Sequence, residues 1–412
     1  MPSWLTPDIG LVVLFFLLFV FPRFLQRLGL PSALTALAIG IAAGHTTSVF
    51  AGEPTIGLLS TLGIVALFLF AGLDVDPAEL REQARAITEH VLVRLTLVLA
   101  TAWAARLIFG LEPRAAMLVA LALLTPSTGF ILDSLGGWGL SSTERFWVRS
   151  KAIATELVAL AILFAAVQST SLERLAGSAV ALLLMMVVLP VVFRWFAAAI
   201  VPHAPKSEFG LLMTVAAACA LITRALGVYY LVGAFVVGMA ARRFRRALPS
   251  MASDQMLGSV EAFASLFVPF YFFHAGATLP TTTFATESLI TGAAFAAIVL
   301  PIRLLTVVGH RRLRFGEAFK DGLRISVPML PTTVFTIVIV EILRTSFEVP
   351  AHVRGGLIVY AIVTTLAPSI WMRRAVPSFE AELEIRAEER AKIEARSRAE
   401  AREALDAREH SS

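Results

Sequence analysis

The chain has 412 residues, 57% of them hydrophobic and only 16% charged, with a mean hydropathy of +0.79, a balance that excludes a soluble globular domain. A formal net charge of +5 and a pI near 9.8 would suit a nucleic-acid binder in a soluble chain. Here the basic residues gather at the ends of apolar runs, so no nucleic-acid partner is expected, and the lone Cys219 excludes an intramolecular disulfide framework.

Apolar runs of membrane-crossing length recur about thirteen times, near residues 8–22, 31–49, 57–73, 87–108, 115–135, 148–168, 175–196, 208–225, 227–241, 258–277, 287–309, 322–343 and 354–372. They predict an all-α polytopic protein in a lipid bilayer. The first run has no basic residue before it and no small-residue cleavage site after it, so it reads as an uncleaved span. The second opens at Leu28-Gly29-Leu30-Pro31 and contains Gly40-xxx-Gly44, a spacing suited to close helix packing. The third ends in Leu69-Phe70-Ala71-Gly72. Arg94 in the fourth span and Arg224 in the eighth read as side chains that snorkel to span ends.

The fifth span is interrupted at Leu123-Leu124-Thr125-Pro126-Ser127-Thr128. Pro126 removes a helix hydrogen bond and disfavours helical geometry at Thr125, while the hydroxyls of Thr125 and Ser127 and the freed carbonyls offer oxygen ligands to a hard cation. An ordinary proline kink is the alternative. Asp133, two turns further on, reads either as a vestibule residue or as an interfacial one.

The sixth span places Thr155-Glu156 in an otherwise apolar stretch. An ionised, unpaired carboxylate there costs about 2.5–3.5 kcal/mol by insertion scales, which makes an ion or proton site its default reading. Desolvation favours the protonated form and a bound cation favours the ionised one, so protons and cations would compete for a single group. The other reading is a carboxylate that only hydrogen-bonds within the bundle.

Further along, His274 reads as an interfacial histidine or a proton relay. Arg303 is the candidate intramembrane cation, set to neutralise a carboxylate, to satisfy the carbonyls of broken helices, or to snorkel toward Arg311. The twelfth span carries Pro328 and Pro331, followed by Thr332 and Thr333, and should break like the fifth. Two such helices facing each other would bring half-helix ends together near the bilayer midplane. After residue 374 the composition turns to Ala, Glu and Arg, so residues 1–374 form a membrane domain and residues 375–412 a charged, solvated helical tail. The tail has no glycine-rich phosphate motif, and the chain has no metal-ligand cluster or credible nucleophile-base pairing. Neither an enzyme nor a bound cofactor is expected.

Loop charges alternate along the chain. Arg23 and Arg27, Arg81 and Arg85, Arg145 with Arg149 and Lys151, Arg194 and Lys206, residues 242–246, residues 311–320, and Arg373 with Arg374 fall on one side, expected to be cytoplasmic. The N-terminus is then outside and the C-terminus inside. Three landmarks also recur in order. Gly29 to Gly40 is matched by Gly227 to Gly238, and Leu69-Phe70-Ala71-Gly72 by Phe273-His274-Ala275-Gly276. Pro126 lies 54 residues after Gly72, and Pro331 lies 55 after Gly276. By the charge topology the two copies have opposite orientation, an arrangement that marks secondary transporters working by alternating access.

Leu28-Gly29-Leu30-Pro31 running to Gly40, residues 67–76 with Leu80, residues 231–238 and Phe272-Phe273-His274-Ala275-Gly276 together resemble the monovalent cation:proton antiporter superfamily, most closely its Kef-type branch, over about residues 8–374. The resemblance implies exchange of Na+ or K+ for protons, and a homodimer with a dimerisation domain and a mobile core. It also implies that spans five and twelve cross as broken helices and that an acidic residue on span six holds the cation or proton, in the inner membrane of a bacterial cell. Thr155-Glu156 stands where the family carries an Asp-containing pair, and Arg303 near a family Lys or Arg. Residues 326–331 depart from the Ser-Gln-Gly-Gly-Glu-Phe-like segment of Kef relatives, whose nucleotide-binding domain has no counterpart here. A non-transporting or channel-like regulatory relative, and a carrier of an organic or anionic solute, are the alternative functions.

Overall fold

A computed structural model describes residues 7–26, 30–46, 53–73, 75, 81, 84–200, 203–204, 207–226, 230–244 and 254–372, so the tail expected at 375–412 lies outside the described residues. These residues form the helices α1 (Pro7–Phe19), α2 (Phe21–Gln26), α3 (Ser32–Thr46), α4 (Pro54–Leu73), α5 (Ala84–Phe109), α6 (Pro113–Leu124), α7 (Thr128–Ser134) and α8 (Ser142–Gln168). They continue as α9 (Leu172–Ala199), α10 (Glu208–Ala225), α11 (Tyr230–Phe244), α12 (Asp254–Ala277), α13 (Thr286–Phe315), α14 (Phe319–Ser326), α15 (Thr333–Ser346) and α16 (Ala351–Met372).

Ten helices or continuous helical segments are long and apolar enough to cross a membrane, and the pair α14–α15, bent by 48°, makes up to eleven. The expected runs at 31–49 and 227–241 appear as the 15-residue helices α3 and α11. At 1.5 Å per residue each is only about 22 Å long, short of the ~30 Å hydrocarbon core. Both lie against longer neighbours, α3 on α12 and α11 on α4. The contacts are backbone-close. A methyl group at Gly40 would strike the carbonyl oxygen of Phe273, and one at Gly276 that of Leu37; at Gly72 and Gly238 it would strike those of Phe235 and Leu69.

α8 starts six residues before the expected run at 148–168 because Ser141 and Glu144 close a capping box, each side chain bonded to the other's backbone amide. The remaining helices pack α5, α6 and α8 together, with α13, α15 and α16 around them. α9 instead exposes Val180, Leu183, Leu184, Val187, Val191 and Trp195. In water that face would be unstable, and the bilayer is its natural solvent.

Candidate functional site

The two interrupted spans meet. α6 ends at Thr125, whose backbone turns extended (φ −82°, ψ 122°) ahead of Pro126. Ser127 is also extended before α7 begins. On the other strand of the crossing, α14 passes into a short 3-10 turn that holds Pro328, and the chain leaves helical geometry around Leu330–Thr332, with Pro331 in the gap. Hydrogen bonds absent from each broken helix are made across the crossing. Ser127 N–H donates to the Pro331 carbonyl at 2.8 Å, Val334 N–H donates to Ser127 Oγ at 3.0 Å, and Thr336 Oγ1 donates to the Ala122 carbonyl at 2.8 Å. Buried backbone groups left unpaired would cost ~1–3 kcal/mol each, so this exchange makes the breaks tolerable inside the protein.

Arg303 on α13 adds three more hydrogen bonds. Nη2 donates to the Met329 carbonyl at 2.7 Å, and Nη1 donates to the Leu330 carbonyl at 2.9 Å and the Tyr360 hydroxyl at 3.1 Å. Tyr360 in turn donates to the Leu123 carbonyl at 2.9 Å, linking both breaks. Of the three readings open for Arg303, its geometry is that of satisfying carbonyls. It is 1% exposed and does not snorkel.

Glu156 on α8 is 4% exposed, and its Oε2 has no hydrogen-bond partner among the described residues. The hydroxyl and amide of Thr128, at the start of α7, face it. The Thr155 hydroxyl donates to the Lys151 carbonyl at 2.8 Å and lies 3.2 Å from His90 Nε2. Thr125, Thr155 and Arg94 line one small cavity. Arg94 is buried there, with Nε and Nη1 unpartnered, so it does not snorkel from the span end as expected. The side chain of Asp133 lies outside the described residues.

Sequence reasoning missed three residues beside Thr155: His90, His310 and Lys151. Lys151, counted among the loop charges, is fully buried, with Nζ 3.1 Å from His310 Nδ1. The signal that would have placed it was Ser141-x-x-Glu144, which starts the helix early and leaves Lys151 well inside it.

Two larger cavities approach the crossing. One, of about 470 Å³, is lined by Leu18, Phe19, Leu67, Gly129, Phe130 and Val334, among others. The other, of about 530 Å³, is lined by Ser60, Thr61, His274, Val338, Glu341 and Arg344, among others. Along α4 and α15 they occupy opposite ends, with Leu67 and Val334 on one and Ser60 and Glu341 on the other.

Broken helices crossing in a helical membrane protein, with a buried carboxylate beside them and cavities at both ends, define a class: a membrane transporter. Residues 12–374 match the family model described as sodium/hydrogen exchanger, transmembrane. The chain belongs to this family, within the monovalent cation:proton antiporter superfamily, and is an integral membrane protein whose class of activity is cation:proton exchange. It is 22% identical over 354 residues to the Na(+)/H(+)-K(+) antiporter GerN of Bacillus cereus, an alignment covering 79% of this chain and 89% of that protein. Its fold is similar to that of the sodium proton antiporter MjNhaP1 from Methanocaldococcus jannaschii, solved at pH 8. The TM-score is 0.64 at 13% identity, covering 88% of this chain and 96% of the other.

Proposed function

We propose that the protein exchanges a monovalent cation, Na+ or K+, for protons by alternating access, with Glu156 as the group that carries either one. The observation that carries this reading is a buried carboxylate oxygen without a partner among the described residues, facing the hydroxyl and amide of Thr128 at the helix crossing. A carboxylate so placed is satisfied by a proton or by a cation, and not by both at once. Thr155 and Thr125 offer neutral oxygens in a small cavity that they share, whereas Ser127 Oγ is engaged as an acceptor for Val334 N–H and contributes mainly by holding the crossing. Arg303 compensates the carbonyl ends of the broken span and is not itself a ligand.

Several finer assignments accompany this reading. Thirteen spans result if α3 and α11 cross together with the ten long segments and the bent pair α14–α15. An inverted repeat relates spans two and three to nine and ten; the reciprocal glycine contacts support it, because exchanging the two copies turns the α3–α12 contact into the α11–α4 contact. We further assign a homodimer, an external N-terminus, a cytoplasmic C-terminus, a bacterial cell inner membrane, and a division between a membrane domain at 1–374 and a tail at 375–412.

The test is exchange in proteoliposomes. Pulses of Na+ or K+ should dissipate an imposed pH gradient, and Glu156→Gln should abolish the response while the protein still folds and inserts. A Glu156→Gln protein that exchanges as fast as the wild type removes Glu156 from the mechanism. A wild type that ignores both cations favours a non-transporting relative or another solute.

A further inference from the structure

Basic side chains not used in the exchange reaction above cluster between α5, α8 and α13. His90 and Lys151 are buried, and the His310 side chain is only 8% exposed. His90 Nε2 is 3.2 Å from Thr155 Oγ1, Lys151 Nζ is 3.1 Å from His310 Nδ1, and the two imidazoles meet edge-on with centroids 6.1 Å apart. On its outer side His310 Nε2 lies 3.6 Å from Glu89 Oε2. Glu89 is partly exposed and is also held by Arg85 and Arg314.

The protons in this cluster can be counted. The one hydroxyl hydrogen of Thr155 goes to the Lys151 carbonyl, so Thr155 accepts from His90, which must carry its proton on Nε2. That leaves Thr155 Oγ1 one lone pair for a cation. The Lys151–His310 contact needs a lone pair on one partner: either the ammonium donates to a bare Nδ1, or Nδ1–H donates to a neutral amine. The charged groups facing the cluster are Arg94 toward His90 and Lys151, Arg311 toward Lys151 and His310, Glu317 toward Lys151, and Glu89 toward His310. Both carboxylates are already engaged by arginines, Glu317 by Arg311 and Glu89 by Arg85 and Arg314. Charging His90, Lys151 and His310 together would put three further positive charges among buried arginines, so full protonation of the cluster is opposed.

We infer that Lys151 and His310 form a second proton-holding site, separate from Glu156 and filled from the surface through Glu89, whose charge decides when Thr155 and Glu156 accept a cation. The inference rests on the reading of Glu156 as the carrier. A proton arriving at Glu89 passes to His310 Nε2, and the proton on Nδ1 moves to the Lys151 amine, leaving the imidazole neutral and the amine charged. That charge sits one helical turn from Thr155 and repels an incoming cation; its loss to the surface lifts the repulsion. His90 acts as a positioning residue that holds the Thr155 hydroxyl in its donating geometry.

The experiment measures the KM for Na+ and K+ by solid-supported membrane electrophysiology between about pH 5 and 8, the range in which histidines change charge. Competition at Glu156 alone raises KM by at most about tenfold for each pH unit of acidification, and a second coupled site makes the rise steeper. The wild type should exceed tenfold per unit, and His310→Gln should fall back to about tenfold or less with the maximal rate retained. Glu89→Gln, a surface change that leaves the buried cluster intact, should displace the steep limb toward acid. A wild type that stays within tenfold, or His310→Gln and Lys151→Gln proteins that both keep its steepness, overturns the inference. If the wild type moves no cation, the carrier reading fails on its own account. NMR of labelled histidine then decides: Lys151→Gln should shift the titration midpoint of His310, and an unmoved midpoint rejects the site.

Discussion

At the scale of single residues, Arg303 shows how one side chain replaces several missing backbone hydrogen bonds. Arg303→Leu leaves the Met329 and Leu330 carbonyls buried and unsatisfied at about 1–3 kcal/mol each, so the unfolding temperature in detergent should drop sharply. Arg303→Lys retains the charge without the planar fork, so it should recover only part of the loss. The size of the carboxylate is a separate variable. Glu156→Asp should keep proton-coupled exchange but change the ratio of Na+ to K+ transport, because the carboxylate withdraws by one methylene from the Thr128 side of the site. Equal Na+ to K+ ratios in the two proteins would show that reach does not set ion choice. Glu156 and Arg303 were legible in the sequence because a charge in an apolar run stands out against its surroundings. Lys151 was not, since it follows Arg145 and Arg149 at the edge of the run; all three lie in α8, and of the three only Lys151 is fully buried. His90 and His310 were illegible for another reason: their significance comes from a contact between helices 220 positions apart in the chain.

At the scale of elements, proline alone does not break a span here. Pro190, Pro269, Pro301 and Pro368 all lie within continuous helices. At Pro126 and Pro331 the neighbouring Ser127 and Thr332–Thr333 supply hydroxyls, and a second broken helix supplies reciprocal partners. Thr332 Oγ1 is 3.2 Å from Thr364 Oγ1, and Thr333 meets Thr365 in the same way. The hydroxyl-flanked prolines were therefore the readable signal, while the partner of each break was not. Pro126→Ala lets helical geometry continue through Thr125, and exchange should slow by at least tenfold at unchanged expression, measured as the initial rate of gradient dissipation. Close packing gives a second prediction. Gly238→Val forces side-chain atoms into the backbone of α4 and should destabilise the protein by about 1–3 kcal/mol. A stability equal to wild type would contradict the contact between α11 and α4.

At the scale of the whole molecule, the cavities at the two ends of α4 and α15 should open to opposite sides of the membrane. With the buried Cys219 replaced by Ala, a cysteine at Phe130 and one at Thr61 should react with a membrane-impermeant thiol reagent from opposite faces. Labelling of both from the same face would contradict that arrangement. The two mouths also differ in chemistry. The first has Leu18, Phe19, Phe130 and Phe272 beside Arg23 and Gln26 in its wall, whereas the second has more polar groups, Ser60, Thr61, His274, Glu341 and Arg344, beside Ile337 and Val338. On the proposed alternating-access route, an ion entering through the first cavity exchanges its hydration water for fewer polar groups than one entering through the second. On that route the protein would act as a rectifier in the kinetic sense: its thermodynamic end point is the same in either direction, but half-saturation should require more cation on the aromatic side than on the hydroxyl-lined side.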